Sequence, residues 1–124
     1  LGHITTFGGH PLSCAAATAN LSELLKSNII KDVSNKGVLF KELLHHEQIK
    51  EVRGLGLMLA VDLGDPELAK KVIDICFKKG LVTDWFLFSE ERLRIAPPLI
   101  ISHAEIRIAC EIILSAIDEA IITD

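Results

Sequence analysis

Tyrosine is absent from this 124-residue chain, which also has a single tryptophan and a single methionine. No apolar run reaches the roughly 18 to 20 residues that span a bilayer, and the first residues lack the charged and apolar regions of a signal peptide. A basic excess is missing too, because 13 lysines and arginines face 17 acidic residues. These absences argue against membrane and nucleic-acid partners and predict a cytoplasmic globular protein.

Cysteine is scarce and widely spaced. Cys14, Cys76 and Cys110 show no C-x-x-C spacing, and each falls in a predicted helix on or near an apolar face. An odd number of such thiols favours buried, reduced cysteines rather than disulfides, nucleophiles or metal ligands.

Histidine patterns also give no metal site. His45 and His46 are adjacent, so on a helix they would point about 100° apart, and we interpret them as a solvated helix end. A Gly-x-Ser-x-Gly nucleophile motif is lacking as well, which leaves a serine hydrolase unsupported.

With 49% apolar residues the chain is large enough for one real core. Apolar periodicity predicts four helices. The first runs from Pro11 to Ser27, and the second follows Asn28 and exposes to water Lys31, Lys36, Lys41 and Glu42. The third lies between Asp65 and Gly80, and the last begins with a capping box formed by Ser102 and Glu105. Strands are predicted at 49–53, 57–63, from Leu81, and around Leu93 to Ile95. The pattern predicts an α/β (α+β) two-layer sandwich whose short, mainly antiparallel sheet is covered by helices.

Two further clusters need interpretation. The aromatic stretch from Trp85 to Phe88 is either core cover or the wall of a binding site, and the pattern favours core cover. The run Gly54-Leu55-Gly56 lacks the third glycine of a dinucleotide-binding loop, so we interpret it as a bend between paired strands.

Anion recognition is the chemistry that the sequence favours most. The run from Thr5 to Pro11 joins two hydroxyls and two glycines to a helix start, which suits a phosphate but also an ordinary tight turn. Arg94 lies between apolar residues on a predicted strand, where it could clamp a carboxylate or form a structural salt bridge. Both alternatives stay open, and Arg92 is expected to be the more exposed of the two arginines.

Three stretches carry a family resemblance: H-I-T-T-F-G-G-H-P-L-S-C-A-A-A at 3–17, V-R-G-L-G-L-M-L-A at 52–60 and L-R-I-A-P-P-L-I-I-S at 93–102. In this order they resemble the class III aminotransferases of the ornithine, acetylornithine and lysine ε-aminotransferase type, which use pyridoxal 5'-phosphate on the fold called type I. Ile4 and His10 depart from the glycine and asparagine of the family pattern, which blurs the subfamily rather than the family.

The resemblance implies roles for several residues. Thr6 would bind the cofactor phosphate in the active site of a neighbouring subunit, with Thr5 at the adjoining position. Arg94 would bind the α-carboxylate of glutamate or 2-oxoglutarate, while Arg53 and its neighbouring glycines would be architectural.

The resemblance also implies a domain organisation. Residues 1–27 would form a phosphate-contacting loop and an interdomain helix, and residues 28–124 the small C-terminal domain. The family's Schiff-base lysine lies upstream, so no catalytic residue is assigned here, and the lysines of this chain are expected on polar helix faces: Lys26, Lys70, Lys71, Lys78 and Lys79.

The chain is therefore expected to be an inactive C-terminal fragment, lacking an N-terminal large domain. The parent would be a homodimer that moves an amino group between an (ω-)amino acid and 2-oxoglutarate. Two alternatives stay open: a fragment of a related pyridoxal-phosphate-dependent aminomutase or decarboxylase, and a non-catalytic α/β ligand-binding or interaction module.

Overall fold

The computed structural model describes residues 5–122 and contains four helices and four strands in that range. The helices are α1 Pro11–Lys26, α2 Ile29–Leu43, α3 Pro66–Lys78 and α4 His103–Ile122, and the strands are β1 Glu51–Leu55, β2 Met58–Asp62, β3 Asp84–Phe86 and β4 Ser89–Ile95. The strands form one sheet in the order β1-β2-β4-β3, with every neighbouring pair antiparallel. The predicted α/β fold with a small antiparallel sheet is confirmed.

The described chain divides into two compact units, one extending to Lys31 and the other beginning at Asp32. The first unit contains the loop before α1 and α1 itself, and the second contains the whole sheet. The boundary between a phosphate-contacting segment and a small domain after residue 27 stays a prediction.

Helix α1 begins at Pro11 as predicted, because proline's fixed φ suits the first helical turn and its missing N–H is not needed there. No residue of α1 is buried, and Leu12, Leu21 and Leu25 are all exposed. Cys14 is exposed as well, so the prediction of three buried thiols is wrong for this one. The described part of the first unit, residues 5–31, contains no other complete helix or strand that could cover α1.

The second unit has one core between the sheet and its helices. Leu59 and Val61 of β2 and Leu93 and Ile95 of β4 are buried, as alternation along a half-covered strand requires. They join one apolar cluster with buried residues of the three remaining helices: Phe40 of α2, Ala69, Val72 and Cys76 of α3, and Ile106, Ala109, Cys110, Ile113, Ala116, Ile117 and Ala120 of α4. One sheet face is thus covered by helices.

The predicted helix starts of α3 and α4 are confirmed by their capping hydrogen bonds. Asp65 Oδ1 accepts from the Glu67 backbone N–H at 3.0 Å. In the capping box, Ser102 N–H donates to Glu105 Oε2 at 2.8 Å, and Glu105 N–H donates to Ser102 Oγ at 3.2 Å. These bonds to the Ser102 backbone and hydroxyl lower the pKa of Glu105.

Lys36 was predicted to face water, but this prediction is wrong because the residue is only 7% exposed. Its Nζ donates to the Leu99 carbonyl oxygen at 2.9 Å and lies 3.8 Å from Asp32 Oδ2. A lysine can bury its aliphatic stem where the ammonium still finds an acceptor and a counter-charge. The bond ties α2 to the segment that follows β4.

Of the two adjacent histidines, His45 is exposed as predicted, whereas His46 differs from the predicted solvated helix end. Helix α2 ends at Leu43, and His46 is largely covered. Its Nδ1 accepts from the Gln48 backbone N–H at 3.1 Å, which leaves Nε2 to carry the proton toward Asp118 Oδ1, 3.1 Å away. His46 therefore links the start of the sheet to α4.

The third strand begins later than predicted. Leu81 lies outside it because its backbone N–H donates to the Cys76 carbonyl oxygen at 2.9 Å, which closes the end of α3.

Among residues 5–122, we find no helix whose length and apolar character would let it cross a membrane.

Candidate functional site

Arg94 lies on the uncovered face of the sheet. Its neighbours on β4, Leu93 and Ile95, are buried, whereas the Arg94 side chain is 43% exposed. The predicted alternation at this position is therefore confirmed. Apolar neighbours on both sides fix the strand, so the guanidinium projects from a rigid element.

A row of side chains crosses the sheet at Arg94. The strand register places Arg94 opposite Ala60 on one side and Asp84 on the other, and Ala60 opposite Arg53. Arg53 and Arg94 therefore lie on the same face of the sheet. Because β2 lies between their strands, the two residues are about 10 Å apart. The sequence alone could not give this row, because it depends on the pairing of strands far apart in the chain.

A groove of about 600 Å³ lies over this face. Arg53, Arg92 and Arg94 line it together with the apolar side chains of Met58, Phe86, Leu87 and Phe88. Cationic donors beside apolar walls are typical of a site for a small organic anion.

The two arginines of β4 are held differently. Arg92 Nε donates to Asp62 Oδ2 at 2.9 Å, and its Nη1 lies 3.4 Å from Glu91 Oε1 and donates to Ser89 Oγ. The Arg92 side chain is only 24% exposed, so the expectation that it would be more exposed than Arg94 is wrong. Two carboxylates hold it, which makes it a structural ion pair.

Arg94 has a single carboxylate contact among the described residues. Its Nη2 lies 3.3 Å from Asp84 Oδ2, and Thr83 Oγ1 donates to the Arg94 carbonyl oxygen at 2.7 Å. Both sequence alternatives therefore have support: a salt bridge exists, yet it engages one edge of an exposed guanidinium.

The prediction that the aromatic stretch covers the core is wrong for Leu87 and Phe88, whereas Trp85 lies opposite the buried Leu93 on the covered face of the sheet. Phe88 is 96% exposed, and Trp85 and Leu87 are exposed as well. Leu87 and Phe88 form the turn between β3 and β4, where the chain reverses and side chains leave the packed face. The other interpretation, a wall beside a binding groove, agrees with the lining of the Arg94 groove.

The loop before α1 is a compact double turn. Gly8 N–H donates to the Thr5 carbonyl oxygen at 3.3 Å, and His10 N–H donates to the Phe7 carbonyl oxygen at 3.1 Å. A Cβ at Gly8 would lie 2.6 Å from Thr5 Oγ1, a side-chain atom that can rotate away, whereas Gly9 has a φ of 81°, a conformation that favours glycine. Thr6 is exposed in the same turn.

The start of α1 carries the donors that an anion needs. His10 at the N-cap makes no side-chain capping hydrogen bond within the described chain, so the first backbone N–H groups keep their hydrogen-bonding capacity. The exposed hydroxyls of Thr5 and Thr6 lie just upstream. This donor chemistry fits a phosphate group. Ile4, one of the two departures from the family pattern, lies outside the described residues.

The buried thiols are poor nucleophiles. Burial raises the pKa of Cys76 to about 11 and that of Cys110 to about 12, so both stay protonated near neutral pH. Within residues 5–122, no group of three or more histidine, cysteine or acidic side chains could hold a metal ion.

The fold and these groups define an α/β protein with the chemistry of proteins that bind small organic anions. Residues 1–117 match the family model described as Aminotransferase class-III. The chain therefore belongs to the class III aminotransferase family, and this prediction from the sequence is confirmed.

Individual relatives agree with the family match. The chain is 38% identical to the acetylornithine aminotransferase of Caldanaerobacter subterraneus subsp. tengcongensis, over 94% of the chain and 30% of that protein. It is 41% identical to the acetylornithine aminotransferase of Corynebacterium efficiens, over 94% of the chain and 28% of that protein. The chain thus spans about 30% of the length of the relatives it matches.

Solved structures support the fold assignment. A Bacillus anthracis aminotransferase superposes with a TM-score of 0.84 at 29% identity, over 96% of this chain and 30% of its own. A transaminase from directed evolution by ancestral reconstruction superposes with a TM-score of 0.85 at 28% identity, over 100% of this chain and 30% of its own. The prediction that the fold is that of an aminotransferase portion is confirmed.

Proposed function

We propose that the chain is the small-domain portion of a longer pyridoxal-phosphate-dependent aminotransferase. The parent enzyme moves an amino group between an amino acid, with an ω-amino acid as the expected donor, and 2-oxoglutarate. The observation that carries the proposal is the exposed Arg94 on a rigid strand of a chain whose family match covers residues 1–117. Relatives named acetylornithine aminotransferase support amino transfer over an aminomutase, a decarboxylase or a non-catalytic module.

Arg94 binds the substrate carboxylate in this proposal. Its planar guanidinium presents several N–H donors in one plane, and Asp84 engages only Nη2, at 3.3 Å. The remaining donors suit two parallel, charge-assisted hydrogen bonds to a carboxylate. A substrate held in this way keeps its reacting carbon at a fixed distance from the sheet.

Thr5 and Thr6 hold the phosphate of the cofactor in this proposal. The two hydroxyls and the start of α1 supply hydrogen-bond donors and a partial positive charge, which suit a phosphate dianion. Pyridoxal phosphate, when bound, supplies the electron sink for amino transfer. We propose a homodimer in the cytoplasm as the working form, because the resemblance to the family implies that this loop serves the active site of a neighbouring subunit.

Replacing Thr6 with alanine in the parent enzyme is expected to weaken cofactor binding. Loss of one hydrogen bond to a charged phosphate costs about 1.5 to 3 kcal/mol, which corresponds to a dissociation constant about tenfold higher or more. The cofactor dissociation constant can be measured by equilibrium dialysis.

Thr18→Ala is the matched control, because Thr18 Oγ1 donates to the Cys14 carbonyl oxygen within α1. Equal cofactor dissociation constants for Thr6→Ala and the unmodified enzyme would remove Thr6 from the phosphate site.

The catalytic lysine lies outside this chain in the proposal. Lys36 is the buried lysine of the described residues, and its ammonium is held by the Leu99 carbonyl oxygen and Asp32. Lys26, Lys70 and Lys78 are exposed on helices, so none of them lies in an apolar pocket that could make it a nucleophile. We therefore expect the 124 residues alone not to transaminate.

An absorbance titration with pyridoxal phosphate tests the whole proposal. The parent enzyme is expected to bind one cofactor per active site with a visible absorbance band that glutamate discharges, whereas the isolated chain shows no such band. A stoichiometric band on the isolated chain that amino acids discharge would mean that one of its own lysines reacts. A parent that binds no cofactor would refute the aminotransferase proposal.

A further inference from the structure

We propose that Asp84 sets the carboxylate affinity of the Arg94 site by competing with the substrate for the guanidinium. This inference rests on the proposed function, in which Arg94 binds a substrate carboxylate. In this inference Asp84 determines which ligands bind at Arg94, rather than only stabilising the sheet.

The strand register puts Asp84 at this position. Asp84 lies directly opposite Arg94 across the β3–β4 pair, so their side chains leave the same face of the sheet. Asp84 Oδ2 is 3.3 Å from Arg94 Nη2. The internal carboxylate therefore occupies one edge of the group that an incoming carboxylate must reach.

Short contacts fix both partners. Asp84 Oδ1 accepts from the Trp85 backbone N–H at 2.8 Å, which leaves Oδ2 directed at the arginine. Thr83 Oγ1 donates to the Arg94 carbonyl oxygen at 2.7 Å, which links the residue before β3 to the backbone of β4 beside the pair. The negative charge of Asp84 thus stays next to Arg94 even when another anion takes its place.

The Asp84 contact is one that a substrate can displace. Both side chains are about half exposed, and exposed ion pairs contribute little because water competes for each charge. A bidentate, charge-assisted contact to a substrate carboxylate is stronger than this single-edge contact. The neighbouring Arg92 differs, because two carboxylates and a serine hydroxyl hold it and it is less exposed.

Competition with Asp84 predicts a preference among ligands. A bound carboxylate must take a donor from Asp84 and then stand beside its charge, so each added negative charge on the ligand increases the repulsion. Removing the Asp84 charge should therefore strengthen the binding of dicarboxylates more than that of monocarboxylates. A residue that only stabilised the sheet would not produce this difference.

The test is Asp84→Asn in the full-length holoenzyme, with ligand binding measured by isothermal titration calorimetry. Asparagine keeps an acceptor for the Trp85 N–H and removes the charge. The probes are glutarate, a dicarboxylate without the reacting oxo group, and butyrate. We expect the dissociation constant for glutarate to fall about three- to fivefold, the size of one exposed ion pair, and that for butyrate to fall less.

Asp74→Asn is the matched control, because Asp74 is exposed on α3 and lies away from the groove lining. It should leave both dissociation constants unchanged. Unchanged or weaker glutarate binding in Asp84→Asn would overturn the competition and make Asp84 a support for Arg94. An equal gain for glutarate and butyrate would overturn the charge preference.

Arg94→Ala separates this inference from the proposed function. If Arg94→Ala leaves glutarate binding unchanged, Arg94 is not the carboxylate site and the proposed role of Arg94 fails with the Asp84 inference. If Arg94→Ala weakens glutarate binding but Asp84→Asn has no effect, only the Asp84 inference fails.

Discussion

Replacing Arg94 with alanine is expected to raise the KM of the parent enzyme for 2-oxoglutarate about 30-fold or more. A charge-assisted bidentate clamp on a desolvated carboxylate contributes at least about 2 kcal/mol, and each 1.4 kcal/mol is about a factor of ten. The substitution removes every donor of the guanidinium and leaves Asp84 without its arginine partner on β4. Steady-state kinetics with 2-oxoglutarate as the varied substrate measure the effect.

Arg107→Ala serves as the control for this substitution. Arg107 is an exposed arginine near the start of α4, and it is absent from the groove lining. The variant loses the same charge, so an equal change in KM for both variants would indicate a general electrostatic effect. Unchanged 2-oxoglutarate kinetics in Arg94→Ala would exclude Arg94 from the substrate site.

Gly37→Ala is expected to destabilise the fold, although alanine normally favours a helix over glycine by about 1 kcal/mol. A Cβ at Gly37 would lie 2.2 Å from the Gly56 carbonyl oxygen, in the turn between β1 and β2. Backbone cannot move aside as a flexible side chain can, and overpacking of this kind costs about 1 to 3 kcal/mol or more. The melting temperature should fall by about 10 °C.

The other side of this contact is also close, although a side chain rather than backbone limits the space there. A Cβ at Gly56 would lie 2.6 Å from Val33 Cγ1, and Gly56 has a φ of 53°. Glycine at position 56 thus allows both the positive φ and the close approach of Val33. This close approach makes Gly37 a contact point between α2 and the β1–β2 hairpin.

Thermal unfolding followed by circular dichroism tests the Gly37 prediction. Ser34→Ala is the control, since Ser34 is exposed on the same helix and alanine should leave the melting temperature unchanged or slightly raised. A raised melting temperature in Gly37→Ala would mean that helix propensity outweighs the contact with Gly56.

Local sequence patterns predicted most of the secondary structure. Pro11, the Asp65 and Pro66 pair, and the Ser102 and Glu105 capping box act within one helical turn, so their structural effects are visible in neighbouring residues. The alternation of apolar and polar residues on β4 likewise predicted that Arg94 points away from the face on which its neighbours Leu93 and Ile95 are buried.

The predictions that were wrong depend on contacts between distant segments. Lys36 is buried because Leu99 supplies an acceptor 63 residues later, and His46 is covered beside Asp118, 72 residues away. Polar side chains normally face water, and no local pattern shows that Lys36 and His46 are covered by distant partners. Cys14 and Phe88 were predicted to be buried but are exposed, since an apolar sequence does not guarantee a covering surface within the described chain.

The sequence by itself determined the family, the helix starts, the antiparallel α/β class and the choice of Arg94 as the arginine of interest. These properties depend on residue identity, short-range spacing and the order of three motifs. Only the tertiary structure decided which groups meet on the open sheet face. It placed Arg53 and Ala60 in one row with Arg94, and Asp84 in contact with it, because strand register aligns Arg94 with residues 10, 34 and 41 positions away in the chain.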